Sequence, residues 1–478
     1  MNRFIQFLFI GFTAIVFLNC AKKTIGLEEL NKQFAEGNFT AATKIIEELK
    51  SLDLFKNHSS EIEIIEAKVE RIQLDFSKSE SQIKDELTLW FPNVSAEQLR
   101  KWEDDKTLEM KFIDGERRYF KNAVSNLFRL DSLAGKTKEN TNIEVIDSFE
   151  DFCLQHTSYI LSLANSDGNF QEKPKKYRID FTITLKPDAI PPGEIVKCWM
   201  PFPRESLPRQ KNVKLIEVNS EKYVLADNQN LQHSLYFEKT TEANNPTIFS
   251  YTAEFETSAQ YFNLDTSKIK PYNIDSENYK TYTAERKPHI VFSNEIQQLT
   301  NKIISGSTNP IEKVKSIYYW INNNITWASA LEYSTFECIP EYVLANRHGD
   351  CGMQTLLFMS MARFAGIPCK WQSGWMLHPG ELNLHDWCEV YFEGIGWVPL
   401  DQSFGLQNSE NQRLKEFYIS GIDEFRLIIN DDFSSELHPE KQFYRSEPVD
   451  FQRGELEWKG GNIYFNQWNY DLDINYLN

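Results

Sequence analysis

The stretch from Asp350 to Pro368 constrains the fold of this chain more than any other part of the sequence. It begins with an aspartate suited to a helix N-cap, and it ends in Gly366 followed by Pro368, which suits a C-terminal stop. The pattern therefore predicts a helix from Cys351 to Ala365. Apolar residues cover most of its surface, namely Leu356, Leu357, Met359, Ala362 and Phe364. A helix that is apolar on nearly every side has to be buried inside a domain.

The predicted helix places the Cys351 thiol at its first position. The positive end of a helix dipole favours thiolate over thiol, and unpaired backbone N–H groups there, including that of Cys351, can face a developing oxyanion. Asp350 has the opposite effect, because a neighbouring carboxylate raises a thiol pKa. A cationic partner for Cys351 is therefore required elsewhere in the chain.

Two runs rich in aromatic and β-branched residues flank Gly394-Ile395-Gly396 and predict a β-hairpin. If the hairpin is centred on Gly394, Asp401 faces Trp387 and lies one same-face step from His385, within reach of a diagonal cross-strand pair. His385 can then accept the thiol proton while Asp401 orients the imidazole. Asp350 and Asp386 are rival carboxylates, but side chains adjacent in a strand point to opposite faces.

These three residues lie in the contexts GDCGMQTLL, HDW and GWVPLD, with AGIPCKWQSGW between the first two. In this order they resemble the transglutaminase-like superfamily, whose core is a papain-like Cys-His-Asp thiol enzyme. The resemblance is strong over 288–405 and weaker over 177–257. It implies that Cys351 is the nucleophile, His385 the base and Asp401 its orienter. It further implies an oxyanion donor, for which Trp327 is the candidate beside the Cys351 backbone N–H, and it implies neither a metal nor another cofactor.

The whole chain is expected to be a multidomain α+β protein. A helical N-terminal region is predicted over 24–165, where segment 95–130 indicates a capped helix, a turn at Asp114-Gly115 and another helix. Alternating strands predict a β-sandwich-like domain over 175–262. The transglutaminase-like core, with its nucleophile helix packed on an antiparallel sheet, is expected over 285–405. A C-terminal extension over 406–478 is expected to supply edge strands, at Glu455 to Trp458 and at Asn462 to Phe465.

The first residues have the pattern of an export signal, predicted over 1–19. The apolar stretch from Phe4 to Leu18 is about 15 residues long, shorter than a membrane-spanning helix. It runs into Leu18-Asn19-Cys20, which resembles a bacterial lipobox, so Cys20 is the expected site of lipidation. The expected location is the bacterial cell envelope, with the lipid holding the protein to a membrane at its periplasmic or outer-membrane face. A plain secretory signal is the alternative.

Charge and cysteine usage exclude several other classes. The net charge of −18 disfavours nucleic acid as a partner. Seven cysteines without a CxxC motif exclude a disulfide framework and a zinc ribbon. The spacing of His378, Glu381 and His385 lacks the HExxH pattern, so a metal site is not expected. Core packing is expected for the remaining cysteines, which are Cys153, Cys198, Cys338, Cys369 and Cys388.

Each of the other aromatic and imidazole side chains near the predicted site could either line a cleft or have no role in the site. His348 and His378 could flank a cleft, but solvated loop positions are the favoured interpretation. The tryptophans could line an aromatic cleft, although core packing accounts for each of them; they are Trp371, Trp375, Trp387 and Trp397.

Together these features predict an exported cysteine acyl-transfer enzyme that cleaves amide bonds of peptides or proteins through a thioester. Hydrolysis, as in a peptidase or amidase, is the expected reaction. The alternatives are a protein-glutamine transglutaminase with an amine acceptor, and a non-catalytic scaffold lipoprotein. The expected partners are a peptide or protein substrate, with cell-wall peptide as one candidate, and the membrane that the N-terminal lipid enters.

Overall fold

The computed structural model describes residues 26–51, 59–140, 148–164, 170–171 and 173–477. The chain divides into two compact units, Met1–Asn142 and Ile143–Asn478. Both contain helices and antiparallel sheets, which confirms the predicted α+β class. The predicted signal over 1–19 and the lipidation site Cys20 lie outside the described residues. Among the helices that the structure describes, none is both long and apolar enough to cross a membrane.

The first unit is built mainly of helices around a small sheet. Its helices are α1 (26–35), α2 (Phe39–Ser51), α3 (Ser59–Asp75), α4 (Glu80–Leu87), α5 (Ala96–Asp104), α6 (Ala123–Leu130) and α7 (Ser132–Glu139). Its strands are β1 (Lys78–Ser79), β2 (Met110–Ile113) and β3 (Glu116–Tyr119), in the spatial order β1-β3-β2.

The strands β2 and β3 correct one prediction for this unit. The capped helix is present, since the Ser95 side chain accepts a hydrogen bond from the Gln98 backbone N–H at 3.1 Å at the start of α5. The helix expected after the turn is α6 (Ala123–Leu130). The prediction of only helices and a linking turn is wrong at Asp114-Gly115, because these residues form the two-residue turn of the β2–β3 hairpin. Their φ angles are 50° and 79°, as a type I′ turn requires, and aspartate and glycine tolerate such values.

The second unit begins with α8 (Ser148–Leu163) and contains two sheets that share one core. The first sheet has the order β21-β5-β10-β7 and consists of β5 (Lys175–Leu185), β7 (Gln210–Val218), β10 (Thr247–Thr257) and β21 (Trp468–Leu477). The second has the order β20-β19-β6-β9-β8 and consists of β6 (Ile195–Pro201), β8 (Val224–Leu225), β9 (Ser234–Thr240), β19 (Glu455–Trp458) and β20 (Gly461–Ile463).

Inward-facing side chains of both sheets meet in that core, among them Phe181 and Phe249 from the first and Trp199 and Phe237 from the second. Burial alternates along β5 and β10, as it does in a sandwich. The strands read from the period-two pattern at 177–257 are all present.

The C-terminal residues contribute strands to both sheets of this sandwich. Strand β21 pairs along the whole of β5, from Trp468 opposite Leu185 to Leu477 opposite Lys176. Strand β19 lies between β6 and β20, so the expectation that Glu455 to Trp458 forms an edge strand is wrong. Strand β20 does lie at the edge of its sheet.

The rest of the second unit contains a four-stranded antiparallel sheet of order β16-β15-β14-β18. Its strands are β14 (Cys369–His378), β15 (Glu381–Phe392), β16 (Gly396–Leu400) and β18 (Arg426–Asn430). Its helices are α9 (Glu277–Thr283), α10 (Asn294–Ile303), α11 (Pro310–Asn324), α12 (Ile339–Asn346), α13 (Cys351–Phe364), α14 (Gln412–Lys415) and α15 (Phe417–Ser420). Short strand pairs complete it: β12 (Thr326–Trp327) with β13 (His348–Gly349), and β11 (Gln260–Tyr261) with β4 (Phe170–Gln171) and β17 (Gly421–Ile422).

The two faces of this sheet are buried in different cores. Helix α13 is buried together with side chains such as Trp371 and Val390 of the sheet. Other side chains of β14 and β18, including Trp375 and Leu427, belong to the sandwich core. The sheet therefore contributes side chains to both cores. The ranges predicted as separate domains, 175–262, 285–405 and 406–478, all lie inside the second compact unit.

Candidate active site

Helix α13 places Cys351 at its first residue. Asp350 is the N-cap, and its side chain accepts a hydrogen bond from the Met353 backbone N–H at 3.2 Å. The helix runs to Phe364, and Gly366 follows with a φ of 78°. The helix predicted from the capping and stop residues is therefore confirmed, and so is its burial, since Gly352 to Arg363 are all buried.

Gly352 lets two polar side chains approach the start of this helix. A Cβ atom at this position would lie 2.4 Å from the Tyr333 hydroxyl oxygen and 2.7 Å from Asp386 Oδ2. Real Cβ atoms do not come so close to other heavy atoms, so only glycine fits without a shift. The Tyr333 hydroxyl in turn donates a hydrogen bond to Asp350.

The β15–β16 hairpin brings His385 and Asp401 together. Its register pairs Phe392 with Gly396 and Cys388 with Leu400, and continued by one residue it places Asp401 across from Trp387, as predicted. His385 Nε2 lies 2.7 Å from Asp401 Oδ2, and both side chains are buried. Because an ionised carboxylate only accepts, Nε2 is the donor, which leaves Nδ1 as the nitrogen that can take a proton from a thiol.

Asp401 is held by a second cation from the C-terminal part of the chain. Arg426 Nη2 lies 3.0 Å and its Nε 3.3 Å from Asp401 Oδ2. Burial raises the pKa of the Asp401 carboxyl, but His385 and Arg426 outweigh burial and hold the pKa below its ordinary value. The carboxylate is thus ionised and ready to orient the imidazole.

The Cys351 thiol has a different partner from the expected one. Its Sγ donates to Asp386 Oδ2 at 3.3 Å. Burial, followed by the carboxyl groups of Asp386 and Asp350, raises the pKa of this thiol well above its ordinary value. In this arrangement burial and the two carboxyl groups favour the neutral thiol and outweigh the helix dipole.

Asp386 is fixed from the C-terminal side. Gln452 Nε2 donates to Asp386 Oδ1 and to the His385 backbone oxygen, both at 2.8 Å. The Gln452 backbone oxygen accepts from the Trp375 indole at 3.1 Å, so the amide side chain is anchored in the core. Gln452, a residue of the C-terminal segment, therefore holds both His385 and Asp386 of β15 by hydrogen bonds.

Carboxyl groups cluster on the Asp386 side of the thiol. Burial raises the pKa of Asp350 to about 6, and it raises the pKa values of Asp386, Asp450 and Glu447 as well. Glu447 shares Arg453 with Glu332, and the distance from Arg453 Nη2 to Glu332 Oε2 is 2.7 Å. These shifts favour neutral carboxyl groups near Cys351.

Cys351 lies where two cavities meet. The first has a volume of about 400 Å³ and is lined by Cys351, His385 and Trp327. Its other walls combine apolar side chains, among them Phe149, Met376 and Phe404, with polar ones, among them Glu150, Asn383 and Gln407. The second cavity, about 200 Å³, shares Cys351 and Trp327 with the first and is lined by the carboxyl cluster. A carbonyl group entering the first cavity would meet both the thiol and the imidazole.

Trp327 reaches this junction through a short parallel strand pair. Strand β12 pairs with β13, with Trp327 opposite Gly349, two residues before Cys351. The Trp327 side chain is 40% exposed. Its position fits the predicted oxyanion donor, and the role itself stays a prediction.

His348 and His378, which were expected at solvated loop positions, are buried, so that expectation is wrong. His348 lies on β13 with its ring against Tyr342 at 5.8 Å, and His378 ends β14 with Nε2 3.2 Å from Asp423 Oδ2. Their strands are covered by neighbouring elements, which sequence alone did not indicate. Trp371, Trp375 and Trp387 are buried in cores, in agreement with the packing interpretation.

The remaining described cysteines are free thiols. Cys153, Cys198, Cys369 and Cys388 are buried, and Cys338 is half-buried. Cys153 also lines the first cavity, where burial raises its pKa to about 12. Within the described part of the chain, no group of three or more His, Cys, Asp or Glu side chains is placed to hold a metal ion.

Sequence reasoning missed Arg426 and Gln452, and it discounted Asp386. Arg426 stands in the apolar run Phe425-Arg426-Leu427-Ile428-Ile429, where a charged side chain needs a buried partner. A charged residue within an apolar run was therefore the sequence feature that could have indicated a buried role for Arg426. Gln452 had no comparable signal, because its contacts depend on the path of the loop before β19.

Comparison with protein families defines the class of this core. Residues 297–402 match the family described as the transglutaminase-like superfamily. This match contains Cys351, His385 and Asp401, and it confirms the resemblance read from their sequence contexts. The chain therefore carries a transglutaminase-like core.

Particular relatives span only part of the chain. An uncharacterized protein of Haemophilus influenzae is 25% identical over 30% of this chain, and the uncharacterized protein YebA of Bacillus subtilis is 23% identical over 27% of it. This chain spans 43% and 20% of their respective lengths.

Two solved structures are also similar. One, from Cytophaga hutchinsonii and described as a "Putative Cysteine Protease", is 17% identical, covers 65% of this chain and 93% of its own, and has a TM-score of 0.44. The other, the periplasmic domain of TgpA from Pseudomonas aeruginosa, is 12% identical, covers 53% of this chain and 98% of its own, and has a TM-score of 0.27.

Proposed function

We propose that this protein is a cysteine acyl-transfer enzyme that cleaves amide bonds of peptides or proteins, with water as the acceptor. The observation that carries the proposal is that Cys351 and His385 line one cavity while Asp401 holds the far nitrogen of His385 at 2.7 Å. Nucleophile, base and orienting carboxylate in this order are what thiol acyl transfer requires.

The reaction begins with the thiol leaving Asp386. Cys351 borders both cavities, so rotation of its side chain carries Sγ from Asp386 toward His385 Nδ1. His385 takes the thiol proton, and Sγ forms a bond to the amide carbon, whose oxygen becomes an oxyanion. The Cys351 backbone N–H, unpaired at the first helical position, and the Trp327 indole are the proposed donors to that oxyanion.

Collapse of this intermediate breaks the carbon–nitrogen bond. His385 returns its proton to the departing amine, which leaves an acyl thioester on Cys351. Water then attacks the thioester as His385 removes one of its protons, and a carboxylic acid and the free thiol are released. Asp401 stays ionised throughout and stabilises the imidazolium that forms twice in the cycle.

Water is proposed as the acceptor because the resemblance to exported bacterial members with this core implies hydrolysis more often than cross-linking. With the export signal predicted over 1–19 and lipidation proposed at Cys20, we propose the bacterial cell envelope as the location of the reaction, with peptides of the cell wall as candidate substrates. A Cys20→Ala variant should leave the membrane fraction. Its retention there would contradict lipid anchoring without bearing on catalysis.

Incubation with a library of peptides, including cell-wall peptides, tests the reaction itself. Mass spectrometry of wild type and Cys351→Ala, with and without an added primary amine, separates the outcomes. The proposal predicts that wild type alone cleaves amide bonds or deamidates side chains whether or not amine is present. Covalent incorporation of the amine would instead identify a transglutaminase. Products that are identical for wild type and Cys351→Ala would favour the non-catalytic scaffold.

A further inference from the structure

A buried arginine from the C-terminal segment is bound to the same oxygen that orients His385. Asp401 Oδ2 accepts from His385 Nε2 at 2.7 Å and from Arg426 Nη2 at 3.0 Å. The other end of the guanidinium, Nη1, donates to both oxygens of Asp423 at 2.7 Å. The Arg426 side chain is fully buried, and two carboxylates therefore hold it in one plane.

The aromatic ring of Phe404 contacts both Arg426 and His385. The Arg426 guanidinium lies 3.9 Å from the centre of the Phe404 ring, and the His385 imidazole contacts the same ring edge-on, with ring centres 5.1 Å apart. The Phe404 backbone N–H donates to Asp401 Oδ1 at 3.3 Å. The His385 imidazole, the Phe404 ring, the Arg426 guanidinium and the Asp401 carboxylate are therefore linked by direct contacts.

We infer that Arg426 is a positioning residue for the Cys351–His385–Asp401 site, acting through Asp401 and Phe404 rather than on the substrate. The inference rests on the proposed function. Two features distinguish this role from simple support of the fold. Arg426 binds the oxygen that His385 uses, and its planar fork is divided between Asp401 and Asp423, a geometry that a lysine ammonium cannot reproduce. The segment after 405 is therefore part of the active site, although it lies beyond the matched family region.

Acylation of Cys351 by p-nitrophenyl acetate tests this inference without knowledge of the natural substrate. The acetyl group attached to the Cys351 peptide is followed by mass spectrometry in wild type, His385→Ala, Arg426→Gln, Arg426→Lys and Arg445→Gln. Arg445→Gln is the matched control, because Arg445 also pairs with a buried carboxylate, Glu455, at 3.3 Å, but it lies outside the site. Melting temperatures are measured for every variant.

The inference predicts that Arg426→Gln acylates Cys351 about 100-fold more slowly than wild type, as small displacements of reacting groups cost rates of this order. Arg426→Lys should recover part of that loss and remain slower than wild type, whereas Arg445→Gln should acylate normally even if it melts earlier. A folded Arg426→Gln or Arg426→Lys with the wild-type rate would overturn the inference. If His385→Ala matched wild type, the proposed function would fall first and this inference with it.

Discussion

The imidazole of His385 and the carboxylate of Asp401 lie 2.7 Å apart in a buried hairpin, although sixteen positions separate them in the chain. The pair fixes which imidazole nitrogen can face Cys351. It also gives the site a carboxylate that stays ionised, because His385 and Arg426 hold its pKa below the ordinary value in spite of burial. The proposed function depends on this contact between His385 and Asp401.

Replacement of Asp401 by asparagine should therefore impair acyl transfer severely. The amide keeps the shape of the side chain but can turn its NH₂ group to Nε2 and favour the wrong imidazole tautomer, and such a change costs turnover by about 10⁴-fold in the best-known triads. The rate of Cys351 acetylation measures the effect. Asp180→Asn is a suitable control, since Asp180 accepts a hydrogen bond from Thr252 in the sandwich. An Asp401→Asn protein with the control's rate would contradict this role.

Asp386→Asn should make Cys351 more reactive toward iodoacetamide at neutral pH. Burial comes first among the causes of the raised thiol pKa and the Asp386 carboxyl comes next, and asparagine, unlike that carboxyl, cannot ionise beside the thiolate. Each unit by which the thiol pKa falls gives roughly tenfold more thiolate. The rate as a function of pH should rise at lower pH in the variant than in wild type. If the pH profiles of the alkylation rate coincide in wild type and Asp386→Asn, then Asp386 does not affect the pKa of the Cys351 thiol.

Gly352→Ala should damage both stability and reactivity. The added methyl group would meet the Tyr333 hydroxyl at 2.4 Å and Asp386 Oδ2 at 2.7 Å, so the hydrogen bonds around the start of α13 have to rearrange. Overpacking of this kind typically costs about 1–3 kcal/mol. Denaturant unfolding measures the first effect and Cys351 alkylation the second. An alanine variant equal to wild type in both would mean that the helix start tolerates movement.

Asp350→Asn should change how stability depends on pH. Burial raises the pKa of Asp350 from 3.8 to about 6, so the folded protein binds this proton more tightly than the unfolded chain does. The neutral form is favoured by folding, and wild type loses that contribution as pH rises through the window from about 4 to 6. Asparagine remains a good N-cap and carries no charge. Its melting temperature relative to wild type should therefore increase across this window and level off above it; a constant difference would contradict the assignment.

The parts of the site that could be read from the sequence are those set by local rules. Asp350, Gly366 and Pro368 mark the ends of α13 by capping and stop signals that need no tertiary information. Gly394 sets the hairpin register, and the register alone brings Asp401 near His385. Period-two alternation was sufficient for the strands of the sandwich.

The parts that were missed depend on long-range packing. Arg426 reaches Asp401 because β18 pairs with β14, some fifty residues earlier in the chain, and Gln452 reaches Asp386 from a loop. The thiol's preference for Asp386 results from the side-chain torsion of Cys351 and from burial, neither of which a motif encodes. The β2–β3 hairpin was missed because Asp114-Gly115 suits a link between helices as well as a type I′ turn.

The most direct measurement is the acetylation of Cys351 by p-nitrophenyl acetate in wild type and in His385→Ala. Cys338, a half-buried thiol of the same chain, is the internal reference. We expect wild type to acetylate Cys351 much faster than Cys338, and His385→Ala to remove this advantage without changing the rate at Cys338. Equal rates at the two cysteines in wild type, or a Cys351 rate that His385→Ala leaves unchanged, would contradict the claim that Cys351 and His385 form a thiol acyl-transfer site.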